Sequence, residues 1–181
     1  VKRIQRLLDT KDVVERGGLP GEIVSAGGTS TWNITGVMDG VTEVNPGSYV
    51  FMDTHFRYCP DFDISLKVLS TVISKPRAGT AIIDCGHHGI GLTPAPSGDL
   101  PGFNGLPEVE SPRAAKVNRL NAEHGVLDLE DEEANKLRAG DKVVLLPASA
   151  DAAANLHDYF FGIRGGKVET VWPIAARGAI K

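Results

Sequence analysis

From Thr42 onward the chain breaks into short runs of β-branched and aromatic residues, each closed by Gly, Pro, Asn or Asp. That punctuation leaves few folds open. Val41–Val44, Ser48–Asp53, Leu66–Lys75, Thr80–Cys85, Val126–Leu129, Lys142–Leu146, Tyr159–Ile163 and Lys167–Trp172 read as strands, and Arg164-Gly165-Gly166 as a hairpin turn. Strands this short and this regularly spaced suggest a closed or nearly closed antiparallel barrel. In the Ser48–Asp53 run, Tyr49, Phe51 and Asp53 would share one face. Gly91–Pro112 is rich in Pro and Gly and reads as a long surface loop, and Asp128–Lys136 as a solvated turn or short helix.

Before Thr42 the texture differs. Ile4, Leu7, Leu8 and Val14 fall near helical spacing over residues 1–16, with Gly17-Gly18 and Pro20 as a stop. Glu22–Ser25 then reads as a strand around Ile23 and Val24. It empties into Ala26-Gly27-Gly28-Thr29-Ser30-Thr31, and no second α-then-β unit is expected after it. Adjacent glycines allow positive φ and a close approach to a ligand. Successive free amides with hydroxyl donors beside them suit an anion, a phosphate above all. An ordinary strand-to-loop turn would use the same residues, and the stretch lacks the lysine and spacing of a nucleotide P-loop.

Charge and composition narrow the partners. A net charge of −4 over 181 residues gives no electrostatic case for nucleic acid or an anionic membrane surface. No apolar run approaches the ~20 residues of a membrane span, and no apolar stretch follows the charges of the first six residues as a signal peptide requires. Cys59 and Cys85 are the only cysteines, too few for a disulfide framework and in keeping with a cytoplasmic setting. The start at Val1, inside a helical pattern, is expected to mark a fragment, a processed chain or one subunit of a split protein.

Six blocks taken in order carry a resemblance. They are Val24-Ser-Ala-Gly-Gly-Thr-Ser-Thr-Trp32, Thr42-Glu-Val-Asn-Pro-Gly-Ser-Tyr-Val-Phe-Met-Asp53, Glu123-His-Gly125, Ala139-Gly-Asp-Lys-Val143, Asn155-Leu-His-Asp158 and Val171-Trp-Pro-Ile-Ala-Ala-Arg-Gly178. Together they resemble the C-terminal part of the D-threonine aldolase and D-serine dehydratase-like enzymes, fold-type III proteins related to alanine racemase. The resemblance implies a mainly β chain: residues 1–40 as the last α/β piece of a pyridoxal phosphate-binding (β/α) barrel, residues 41–181 as a C-terminal antiparallel β-barrel-like domain. It also implies a lyase acting on D-3-hydroxy amino acids such as D-threonine, D-serine or D-3-hydroxyaspartate, as a homodimer or paired with an N-terminal barrel.

By that resemblance Gly27, Gly28 and Thr29 would hold the phosphate of pyridoxal phosphate; Tyr49, sharing a strand face with Phe51, reads equally as a cofactor contact or as half-buried packing. The family's Schiff-base lysine lies near the N-terminus of its barrel and matches none of the lysines here, so the isolated chain is expected to be inactive. The family's metal pattern, Pro-x-His-x-(Cys or Asp) ahead of Asn-Leu, meets Pro147-Ala-Ser-Ala-Asp151 in this chain. Ser149 stands where the His would be, and Asp151 keeps the carboxylate. An un-ionised hydroxyl is a poor ligand beside an imidazole, so Asp151 is as well read as a solvated turn residue. His157 is a candidate to replace the missing ligand, and His124 a turn histidine or a pocket contact. Two other readings stand: a non-catalytic partner subunit, or a small metal-dependent hydrolase built on Cys85, His87 and His88. Trp32 and Trp172 are expected in a core or an interface.

Overall fold

The computed structural model describes residues 1–93 and 104–179. They form two compact units, one made of Val1–Val50 with Tyr58–Asp63, the other of Phe51–Arg57 with the chain from Ile64 on.

In the first unit Lys2–Arg16 is the expected helix, α1. Ile4 and Leu8 are half-buried, no residue of α1 is fully buried, and the helix ends at Gly17. Leu8 packs closely on Gly40, where an added Cβ would lie 3.0 Å from the leucine side chain. Val24 and Ser25 run extended beside Thr42 and Glu43, joined by a parallel bridge from Ser25 to Glu43. Thr42 N donates to Val24 O at 3.0 Å, and Ala26 N to Glu43 O at 3.0 Å. The connection between them is a 3-10 turn, Thr29–Thr31, continuing into the short helix α2, Trp32–Thr35. Residues 42–44 thus belong with the α/β piece, against the expectation that no second unit follows. Parallel neighbours need a crossover between them, and this one is too short to show as helical periodicity.

The expected strand at Ser48–Asp53 does not form. Ser48–Val50 is a 3-10 turn, and Met52, with φ 51, sits in the left-handed region that interrupts any ladder. Asp53 then opens another 3-10 turn, Thr54–Phe56, by accepting from His55 N at 3.1 Å. Tyr49 and Asp53 therefore share no strand face and fall in different units.

The second unit is a nearly closed antiparallel barrel-like sheet. Its strands are β1 (Val68–Arg77), β2 (Thr80–Ile83), β3 (Glu108–Ser111), β4 (Ala115–Leu120), β5 (Gly125–Leu129) and β6 (Lys142–Leu146), in the order β3-β6-β1-β2-β5-β4. The two edges, β3 and β4, follow one another in the chain and lie side by side. Register shifts in β1 against β2 and in β4 against β5 give the curvature that closure needs. Alternate residues point inward: Val143 and Leu145 are fully buried in β6, Ala81 and Ile83 in β2, Leu127 in β5. The Gly91–Pro112 loop reading is corrected at its end, because Glu108–Ser111 pairs with β6; residues 94–103 lie outside the described ones. A separate hairpin, β7 (Tyr159–Arg164) and β8 (Lys167–Pro173), turns at Gly165 and Gly166, whose φ values of 55 and 75 suit the expected tight turn. Trp172 on β8 is 54% exposed, so neither it nor Trp32, at 38%, is a core residue.

Candidate functional site

The Gly-rich stretch lies between the extended Val24–Ser25 and α2, wholly within the first unit. Gly27 has φ 81, and a Cβ there would come within 2.8 Å of Thr35 Oγ1. Its glycine is demanded by packing on α2. Gly28 is extended, with φ −152, and a Cβ on it would meet only Asn45 O, at 3.8 Å. The expected positive φ thus holds for Gly27 alone, while the open space is at Gly28. Gly28 N donates to Thr31 Oγ1 at 3.1 Å and Thr31 N donates back to Gly28 O at 3.0 Å, which closes the turn.

The next two amides are different. Thr29 and Ser30 begin the 3-10 turn, and their N–H groups meet no acceptor among the described residues. The first amides of a helical turn have no partner within it and are met by a cap, water or a ligand. Thr29 is buried; its Oγ1 accepts from Tyr49 N at 3.1 Å, and its carbonyl accepts from the Cys59 thiol at 3.6 Å. That bond ties the 48–50 turn to the Gly-rich turn, so Thr29 and Tyr49 come together although the strand that was to carry Tyr49 is absent. The Tyr49 ring is 46% exposed and leans on Phe62, with centroids 5.7 Å apart; Phe62 in turn touches Trp32 at 5.8 Å. Ser30 is the residue that the sequence reading left out. The run of three hydroxyls marks the stretch, but only the 3-10 turn shows that the Ser30 amide opens it.

The Pro147–Asp151 stretch does not fit a divalent cation. Ser149 caps the short helix α4 (Ala150–Ala154), its Oγ accepting from Ala152 N at 3.3 Å. Asp151 is exposed on the first turn. His157, the candidate replacement, makes a 2.7 Å hydrogen bond with Gly89 O. Among the described residues no three His, Cys, Asp or Glu side chains gather as a metal site.

Nor do Cys85, His87 and His88 converge on a cation. Cys85 is buried, and burial first, then the Asp84 charge, pushes its thiol up to about 11. The His87 and His88 rings meet edge to face at 4.5 Å, the first half-buried and the second exposed. Their amides donate to Asn121 O and Ala122 O, each at 2.9 Å, so this block packs against the turn that carries Glu123-His-Gly125. His124 itself is exposed on that turn.

Asp84 anchors the block from the other side. Its Oδ1 accepts from Ser70 Oγ and Thr71 N, both at 2.7 Å. Burial works to raise its carboxyl, but the hydrogen bonds from Thr71 and Ser70 outweigh it and the net shift is downward from 3.8. A lowered folded-state value stabilises above the unfolded value and is lost as pH falls through the folded one. Urea unfolding of wild type and Asp84→Asn between about pH 6 and pH 3 should therefore show a stability gap that is full near neutrality and closes below about pH 4. A gap independent of pH would show that the carboxylate charge plays no part.

Residues 65–163 match the family model described as "Putative serine dehydratase domain". The chain is 33% identical over 97% of its length to a 3-hydroxy-D-aspartate aldolase of Paracoccus denitrificans (strain Pd 1222). The chain belongs to the D-serine dehydratase-like family. Two solved structures of D-serine dehydratase-like proteins superpose on it. D-threonine aldolase from Filomicrobium marinum gives a TM-score of 0.83 at 30% identity, covering 95% of this chain and 46% of that one. D-threo-3-hydroxyaspartate dehydratase from Delftia sp. HT23 gives 0.74 at 28%, covering 90% and 46%. The chain spans less than half the length of the curated relatives it matches. Among the described residues no helix is long and apolar enough to cross a membrane.

Proposed function

We propose that this chain is the C-terminal part of a pyridoxal phosphate-dependent lyase acting on D-3-hydroxy amino acids. Its Gly-rich turn receives the cofactor's phosphate. The observation that carries the reading is the pair of acceptorless amides at Thr29 and Ser30, opening beside a glycine with no side chain. In a family whose named relatives are aldolases and a dehydratase of such substrates, a phosphate oxygen is the acceptor those amides lack. When bound, pyridoxal phosphate supplies the electron sink for bond cleavage next to the substrate's amino carbon.

The chain's own residues do the holding. Gly28 keeps the approach clear and the Thr29 and Ser30 amides donate; Thr29 Oγ1 ties down the Tyr49 backbone, and the exposed Tyr49 hydroxyl is assigned here as a third donor. Gly27 contributes by letting α2 pack closely. None of these donors is cationic, so binding rests on aligned hydrogen bonds rather than on a salt bridge, as in other backbone anion sites. The substrate class is read from the relatives, and Asp151 is assigned no metal.

Titration of the chain with pyridoxal phosphate, with inorganic phosphate and with phosphate-free pyridoxal tests this. The first two should raise the melting temperature saturably and the third should not. Equal stabilisation by pyridoxal and pyridoxal phosphate would sink the phosphate site.

A further inference from the structure

The family pattern puts a His at the position of Ser149, which in this chain caps a short helix. Ala150 N donates to Asp53 Oδ2 at 2.8 Å, across 97 positions of sequence. The other oxygen of that carboxylate accepts from His55 N at 3.1 Å. Thr54 N donates to Pro147 O at 3.1 Å, and Ser149 Oγ accepts from Ala152 N at 3.3 Å. Asp53 is only 5% exposed, so both of its oxygens are committed to backbone amides away from solvent.

We propose that the Pro147–Asn155 segment of this chain is a closed hydrogen-bonded clasp, held by the Asp53 carboxylate and the Ser149 hydroxyl, and takes no divalent cation. The comparison with a metal rests on the family reading; the clasp rests on the bonds alone. A cation at this place would find Ser149 Oγ already turned to Ala152 N, and a neutral hydroxyl is a poor ligand for a divalent ion. Asp53 cannot turn to such an ion without releasing two amides at once, one at the start of α4 and one in the 54–56 turn. Asp151 is left as a lone exposed carboxylate, without the imidazole that completes the family's pair. Asp53 is thus a positioning residue: it sets where α4 begins, and through Thr54 N and Pro147 O it fixes two stretches of the second unit together.

Equilibrium dialysis of the whole chain against zinc, manganese or cobalt chloride, with melting curves on the same samples, tests the clasp without any cofactor present. Failure of the pyridoxal phosphate reading therefore leaves its outcome unchanged. Wild type and Asp151→Asn should both retain far less than one equivalent of metal and melt at unchanged temperature on metal addition. Asp53→Asn, which presents an amide group to one of the two N–H donors, should melt several degrees lower, and metal should not restore it. Ser149→Ala, a milder change should Asp53→Asn fail to fold, should also melt lower with or without metal. Stoichiometric, saturable binding abolished by Asp151→Asn would overturn the proposal, as would Ser149→Ala melting like wild type.

Discussion

Replacing Gly86 with alanine should destabilise the second unit by more than about 3 kcal/mol, at the upper end of single-residue effects. The cause is steric and involves backbone on both sides. A Cβ at Gly86 would lie 2.4 Å from Asn121 O and 2.5 Å from Ala122 O. Those carbonyls accept from His87 N and His88 N, so moving them aside breaks the contact between the 84–88 stretch and the 121–125 turn. The φ of Gly86 is −105, open to any residue, which leaves space as the only reason for glycine. Urea or thermal unfolding measures the loss. Gly47→Ala is the control, since nothing lies within 4 Å of a Cβ there and its φ is not positive. That change should stay within about 0.5 kcal/mol of wild type. Near-equal stability for the two variants would mean that the Gly86 crossing is not as tight as described.

Thr29→Val should reduce affinity for pyridoxal phosphate by roughly tenfold or more, the size of one lost hydrogen bond in a partly buried setting. Valine preserves the shape of the buried side chain but has no oxygen to accept from Tyr49 N, the 3.1 Å bond described above. Two losses follow together: an unpaired amide that costs about 1–3 kcal/mol of stability, and the tie between the 48–50 turn and the Gly-rich turn. Tyr49→Phe separates them. It removes only the exposed hydroxyl, so affinity should fall while the melting temperature holds. If Tyr49→Phe binds as wild type does, the phenol is no phosphate donor and its place on Phe62 is packing alone.

How far the sequence foretold this can be followed residue by residue. The helix over residues 1–16, the Gly165–Gly166 hairpin and the β6 alternation of Val143 and Leu145 were legible because each signal is local. The parallel pairing of Val24–Ser25 with Thr42–Glu43 was not, because the intervening helix has only four residues and periodicity needs about two turns to show. β3 is hidden by the prolines that precede it, whereas β4 carries a signal in Ala115 and Val117, which alternate cleanly with Lys116 and Asn118. Met52 defeated the Ser48–Asp53 strand. A non-glycine residue at positive φ leaves no mark in composition, and Asp53 reads as a strand polar residue until its capping bond is seen.

The site divides the same way. Gly27, Gly28 and Thr29 lie in one turn, yet their parts are not interchangeable: Gly27 makes room for Thr35, Gly28 has open space beside it and Thr29 holds Tyr49. Ser30 could be placed only once the start of the 3-10 turn was known. Ser149 was marked as a departure from the family's pattern on residue identity, and its use as a helix cap required the geometry of Ala152 N.

The most direct test follows the two amides themselves. In amide-resolved NMR of the isotopically labelled chain, titration with pyridoxal phosphate or inorganic phosphate should shift the Thr29 and Ser30 N–H signals together and saturably, with pyridoxal leaving both in place. Thr29 and Ser30 signals that stay put while pyridoxal phosphate is bound elsewhere on the chain would contradict the account.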